Sequence, residues 1–356
     1  MLAGFAAAFL IGDLCLVVLG ASLSSPKFLF GVAGFSLAQV LWTAGQLREA
    51  RPDARAFLAF AVPLAAFVLC RLRPPALPPS AEAAVCAYSV LTALSLATAI
   101  ATRRTLYVCG IGLLLFSDLM IGWRILHVPG SGQAIGPAYV MAELCLLASF
   151  FAGDREPRLS VGGRGVWRFA AVGGIAAFAL FTAAATLYPG GGYNPLRQML
   201  SELGHASVRK AVYPACHHLF VARLLLSAAC VGAGWGHLVR RIGGGWRRVA
   251  TGWGGALNVA GLCSIALVPF DVCGDVHNIA CNMAVVGGVA VMSARLGRRW
   301  SCDWAWASWL VVVVVAFVIC LEVKGIPFRP YVTTLQKVLI VSFALWTGHL
   351  AWRERQ

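Results

Sequence analysis

Windows of about 20 consecutive apolar residues, the length a helix needs to cross a hydrocarbon core, recur from one end of this chain to the other. The spans are predicted at 2–23, 28–47, 54–72, 81–102, 105–126, 134–152, 167–187, 219–239, 249–270, 279–296, 307–322 and 332–352. Such a pattern leaves little chain for a water-soluble domain. Hydrophobic residues fill 60% of the 356 positions and charged residues only 12%, about half the charged share of a soluble domain. The expected fold is therefore all-α, a polytopic transmembrane helical bundle of about twelve spans. The first span lacks a basic leader and carries Asp13 at its centre, so it reads as a retained membrane helix rather than a signal peptide.

The formal net charge of +15 does not call for nucleic acid, because of where the cations sit. Connections one, three, five and so on hold nine Lys+Arg, while the even connections and the C-terminal tail hold eighteen. That bias predicts cytoplasmic N- and C-termini, with the basic loops beside anionic headgroups. Only Arg223 and Lys337 fall inside spans, the remaining cations lying in connections or at span ends. The 12 cysteines form no C-x-x-C pair and read as small packing residues. A disulfide between Cys216 and Cys273 is left open. Trp42, Trp123, Trp167, Trp300, Trp304, Trp306 and Trp352 stand near span ends, as an interfacial belt would.

Residues 153–166 combine charge, glycine and proline without an apolar run. They are read as a cytoplasmic linker between two six-helix modules, 1–152 and 167–352, followed by a cytoplasmic tail at 353–356. The two halves share no motif, which weakens a reading as internal repeats.

Carboxylates within a bilayer are costly, usually face the bundle interior and mark functional sites. The first module has Asp13, Asp118 and Glu143, joined by Gln39. At about 1.5 Å rise per residue, Asp13 and Asp118 are expected roughly 16–18 Å from the cytoplasmic end, and Gln39 and Glu143 roughly 12–14 Å. One polar cavity open to the cytoplasmic leaflet would serve all four. The competing reading is interhelical hydrogen bonding that only holds the bundle together.

The segments around Gly12-Asp13, Phe30 to Phe35 and Gln39, Phe116-Ser117-Asp118, and Tyr139 to Glu143 resemble, in order and spacing, the lysoplasmalogenase-like YhhN family across residues 1–152. That family's pattern has two further helices ahead of the Gly-Asp helix, which this sequence is expected to lack, and Glu143 stands where Gln or His is usual. The resemblance implies cleavage of the vinyl ether bond of lysoplasmalogens, giving a fatty aldehyde and a glycerophospho head group. Protonation of the vinyl β-carbon creates an oxocarbenium ion, water adds, and the hemiacetal collapses. This chemistry requires an acid and a carboxylate that activates water, the division of labour used in glycoside hydrolysis. Asp13 and Asp118 are the candidates for these roles, with Gln39, Glu143, Ser117 and Tyr139 lining the substrate cavity. The expected partners are membrane lipids and a lysophospholipid substrate, with no cofactor. A proton-coupled transporter or lipid-flipping protein, or a catalytically inert membrane scaffold, are the alternatives.

In the second module the information lies in two non-cytoplasmic loops. One runs from Tyr193 through Ser201, Glu202, Gly204 and His205 to His217-His218, and the other from Val268 through Asp271 and Asp275 to His277. Their Leu-Ser-Glu-Leu-Gly and Pro-x-Asp…His segments resemble an uncharacterised polytopic family, domain of unknown function 998, which implies no activity. Ser201, Glu202, His205, His217, Asp271, Asp275 and His277 form a candidate polar cluster at one membrane face. Carboxylates and imidazoles suit a metal such as zinc, though the spacings match no zinc motif. The alternative is a hydrogen-bonded lid in which Ser201 and Glu202 satisfy backbone groups and Asp271 or Asp275 caps the next helix. His217-His218 reads as interfacial, Glu322 and Lys337 as a pair, and Gly190-Gly191-Gly192 as a turn.

Overall fold

The computed structural model describes residues 7–8, 11–12, 26–47, 50–72, 78–126, 131–152, 163–189, 192–195, 197–208, 211–295 and 329–353. Among them nine helices are long and apolar enough to cross a membrane, and the protein is an integral, multi-pass membrane protein. The expected span at 307–322 lies outside the described residues, as does most of that at 2–23. The chain folds as two compact units, Met1–Ser160 and Val161–Gln356.

The first unit contains α1 (Pro26–Gln46), α2 (Ala54–Phe67), α3 (Pro79–Thr102), α4 (Thr105–Ile125) and α5 (Ser131–Ala152). Asp53 caps α2 by accepting from Arg55 N at 2.8 Å, and the Arg55 guanidinium holds this carboxyl below its ordinary value. Pro63 lies within α2, which continues as a π-helical turn at Val68–Leu72. Helix α3 packs against α1, α2 and α4, while α4 also pairs closely with α5. The core joins Trp42, Leu96, Tyr107, Ile111, Leu114 and Leu146. Trp42, expected at the interface, is instead buried against Tyr107 and Phe150, because α1 turns this face toward α4 and α5. Arg104, in the turn between α3 and α4, is likewise buried and donates to Gln46 and to the Ser149 carbonyl near the end of α5. Outward positions such as Phe30 and Phe151 are apolar and exposed, the surface that lipid covers.

The second unit contains α6 (Gly163–Thr186), a 3₁₀ turn at Leu200–Gly204, a two-stranded ribbon of β1 (Ser207–Val208) and β2 (Ala211–Val212), then α7 (Ala215–Arg241), α8 (Trp246–Leu267), α9 (Gly274–Arg295) and α10 (Arg329–Arg353). The ribbon is antiparallel, pairing Ser207 with Val212 and Val208 with Ala211. Helices α8 and α9 make the most extensive packing, and α7 rests on both α6 and α8. Small residues make the α8–α9 approach possible. A Cβ added at Gly261 would fall 2.6 Å from Ala280 O, and one at Gly287 2.5 Å from Gly254 O. Without a hydrophobic force between helices in lipid, such close packing supplies much of the association energy. Asn258 on α8 fastens α7, α8 and α9 by accepting from Trp235 Nε1 on α7 and donating to Ala284 O on α9, at 3.3 and 2.6 Å.

Candidate functional sites

In the first unit, Asp118 on α4 accepts a hydrogen bond from the Tyr88 hydroxyl on α3 at 2.9 Å. Tyr88 also interacts with the side chains of Thr92 and Gln39. Gln39 Nε2 donates to Thr92 Oγ1 at 3.0 Å, and Ser95 Oγ donates to Gln39 Oε1 at 3.4 Å. Ser95 and Thr43 hydroxyls meet at 2.7 Å. Gln39, Thr43, Thr92 and Ser95 are all buried. The result is a polar column linking α1, α3 and α4. Tyr88 to Ser95 is seven residues of helix, about 10 Å of rise. The single level expected for Asp118 and Gln39 is thus replaced by a ladder, because α3 offers its hydroxyls on successive turns.

Other expected members of the site are distributed differently. Ser117 is buried and donates to Ile135 O on α5 at 3.3 Å. Neighbouring helix positions project about 100° apart, so Ser117 serves α5 while Asp118 serves α3. Tyr139 packs edge-on against Phe35 of α1, with ring centroids 6.1 Å apart. Glu143, one turn beyond Tyr139 on α5, is partly buried. Asp13 lies outside the described residues. Gly12, just ahead of it, is described: a Cβ added there would fall 2.9 Å from the Phe35 ring, and one added at Gly34 would fall 2.9 Å from Ala8 O and Gly12 N. Phe35 therefore stands between Gly12 and Tyr139, one helical turn from Gln39. Tyr88, Thr92 and Ser95 were absent from the sequence-based set. Their spacing, 88, 92 and 95, is a helical stripe of hydroxyls and was the available signal.

In the second unit the two candidate loops do meet. Asp271 accepts from Ala206 N and Ser207 N, both at 2.9 Å, so it clasps the strand ribbon rather than capping α9. Asp275, in the first turn of α9, is exposed. His205 stacks on Phe270, and Phe270 in turn meets His277 edge-on. His277 is 2% exposed and its Nδ1 lies 2.8 Å from Val268 O. His217, expected to be interfacial, is buried with Nδ1 2.8 Å from Gly204 O. Glu202 accepts from Met199 N at 3.1 Å, its place in a capping box on the 3₁₀ turn. Gly190 and Gly191 lie outside the described residues, as does Glu322. Lys337 instead donates to Gln198 O at 2.8 Å and Thr333 O at 3.1 Å. Burial and the nearby Glu202 carboxylate push the Tyr193 phenol well above its ordinary value, while its hydroxyl donates to Gln198 O at 3.0 Å. Cys216 and Cys273 are free thiols. Among the described residues no three His, Cys, Asp or Glu side chains gather to hold a metal.

Ser201 is the one member of this cluster besides His277 that faces a large cavity, of about 1040 Å³, beneath the lid. Replacing Asp271 by Ala removes the acceptor of the buried Ala206 N–H, at a cost of about 1–3 kcal/mol, and of the exposed Ser207 N–H, which water can satisfy. Hydrogen–deuterium exchange at Ala206 and Ser207 is then expected to accelerate at least about tenfold, a change that Asp275→Ala does not produce.

The model of the YhhN family matches residues 1–150. That of the family described as protein of unknown function (DUF998) matches residues 171–353. No curated protein and no solved structure matches the chain.

Proposed function

We propose, for a chain that belongs to the YhhN family over residues 1–150 and to the DUF998 family over residues 171–353, that the first unit is a lysoplasmalogenase-type hydrolase. The observation that carries this reading is the Asp118 carboxylate, held by the Tyr88 hydroxyl at 2.9 Å at the head of a polar column within apolar helices. An intramembrane carboxylate with a fixed orientation is suited to acid–base work on a substrate dissolved in the same bilayer.

The reaction consumes one water and one vinyl ether. A carboxylic acid protonates the vinyl β-carbon, and the positive charge moves to the carbon bonded to oxygen. The second carboxylate removes a proton from water as it adds there. The hemiacetal then breaks its bond to the glycerol oxygen, which takes up a proton, and aldehyde and glycerophospho head group separate. Asp118 and Asp13 share these two roles. Tyr88 orients Asp118, and Gln39 aligns Tyr88 through Thr92. The termini of this reading are cytoplasmic.

Purified protein in lipid nanodiscs tests the proposal. Incubation with a lysoplasmalogen is expected to release fatty aldehyde with one equivalent of head group, while the saturated ether analogue remains intact. Proton-gradient-dependent uptake of the lipid without product would instead assign the carboxylates to transport. Neither product nor uptake would leave the column a packing device.

A further inference from the structure

Two cations stand apart in this sequence by falling more than one helical turn inside their expected spans, and both reach the same cavity. Arg223 on α7 and Lys337 on α10 line the 1040 Å³ space with His277 of α9 and Ser201 of the 3₁₀ turn. The hydrogen bonds of the lid bring the starts of these helices together: Asp271, just before α9, holds Ala206 and Ser207, and Leu200 N donates to Gln336 Oε1 of α10 at 3.0 Å. Arg223 and Lys337 each stand eight residues into their helices, about 12 Å from that end. His277 is three residues into α9. The polar groups therefore occupy one end of the cavity, beneath the lid.

The remaining walls are mainly apolar, with Ser227, Asn258 and Thr347 among them. They include Leu224 and Trp235 on α7, Leu262 on α8, Val289 on α9 and Phe343 on α10. Trp235 lies twelve residues beyond Arg223, and Thr347 ten beyond Lys337, so the apolar part extends about 15–18 Å along the helices. On the α6 side the wall includes Ile175 and Phe178, and on the α10 side Ile340 and Val341; all four are exposed as well as lining the cavity. Those residues offer an apolar margin through which a lipid chain passes without leaving hydrocarbon.

The donors at the polar end are only partly used. The Arg223 guanidinium lies 4.9 Å from the Phe181 ring centroid and 5.8 Å from that of Phe220, and among the described residues no carboxylate pairs with it. Lys337 spends two of its three donors on the Gln198 and Thr333 carbonyls. Glu202 is the nearby acid, but its oxygens accept from Met199 N and Gln198 Nε2 and it is not among the cavity walls. His277 Nδ1 must donate to the Val268 carbonyl, which leaves Nε2 as an acceptor, and that atom is buried without a partner among the described residues. A membrane bundle does not hold two cations beside an apolar cavity without cost, and such residues usually face a substrate or ion.

We propose that this cavity binds a single-chain amphiphile with an anionic head group, its carboxylate or phosphate held by Arg223 and Lys337 and its chain running along Trp235 and Phe343. Fatty acids and acidic lysophospholipids share this chemistry. The site stands by itself, whether or not the first unit cleaves vinyl ethers.

The test uses the full-length protein in detergent, with bound lipid counted by native mass spectrometry and affinity taken from titration calorimetry. Oleate, 1-oleoyl lysophosphatidate and the neutral 1-oleoylglycerol are the probes. At least one anion is expected to bind ten times more tightly than the neutral lipid, and the stronger anion identifies the source. The combined Arg223→Gln and Lys337→Gln variant should lose that preference, Arg223→Lys should keep it, and Ser227→Trp, which fills the cavity, should abolish binding of all three. Equal affinity for neutral and anionic probes overturns the proposal, as does no binding at all. A preference unchanged in the doubly neutral variant also overturns it. If that variant fails to fold, the retained preference of Arg223→Lys together with loss in Ser227→Trp supports the site, and unchanged binding in Ser227→Trp rejects it.

Discussion

Replacing Asp118 by Asn is expected to reduce aldehyde release from lysoplasmalogen by about 10²- to 10⁴-fold, the range that a positioned acid or base contributes. The substitution keeps the side-chain shape and still allows the Tyr88 hydroxyl to donate to the remaining oxygen, so the helices should assemble as before. Unchanged thermal unfolding with lost turnover would separate chemistry from packing. Tyr88→Phe removes the 2.9 Å hydrogen bond to Asp118 and leaves the ring. Its expected effect is smaller, about 10- to 100-fold in kcat with KM little altered, as for loss of a bond to a charged group. Full activity in Asp118→Asn would remove this carboxylate from the mechanism. A fall in stability without a fall in rate for Tyr88→Phe would make the column structural.

The second large effect concerns stability. Gly261→Val forces a side chain into backbone, since an added Cβ already collides with Ala284 N and stands 2.6 Å from Ala280 O. Backbone of two packed helices cannot give way as the end of a flexible side chain can. Overpacking of this kind costs about 3 kcal/mol, a fall of about 6–12 °C in unfolding temperature for a unit of this size. Gly174→Ala, where an added Cβ meets nothing within 4 Å, is the matched control and should change stability little. If Gly261→Val unfolds at the same temperature as the parent protein, the close α8–α9 crossing is not a principal support of the second unit.

Much of the helical pattern was legible because hydropathy is a local property. A run such as 105–126 is apolar whatever its neighbours are, and the structure forms α4 over Thr105–Ile125. The same locality explains why Asp118, Gln39, Arg223 and Lys337 could be singled out: a polar group within an apolar run is conspicuous by itself. Their partners were not conspicuous. Tyr88, Thr92 and Ser95 are ordinary residues in a membrane helix, and only the packing of α3 between α1 and α4 turns their stripe toward Gln39 and Asp118. Sequence proximity misled at Ser117, which adjoins Asp118 in the chain but projects to another helix.

In the second unit the sequence by itself determined which loops carried acids and imidazoles, and that two cations lay within spans. Tertiary structure decided what these groups do. Asp271 spends both oxygens on backbone donors sixty-four and sixty-five residues away in the chain. His277 lines a cavity wall, and among the described residues it belongs to no group of three His, Cys, Asp or Glu side chains that could hold a metal ion. Arg223 and Lys337, more than a hundred residues apart, come to the same pocket. The physical reason is that burial in lipid depends on composition along one helix, whereas a binding site depends on which faces of several helices meet. Those faces are chosen by close approaches such as Gly261 against Ala280 and Ala284, where small residues permit contact that no hydropathy pattern records.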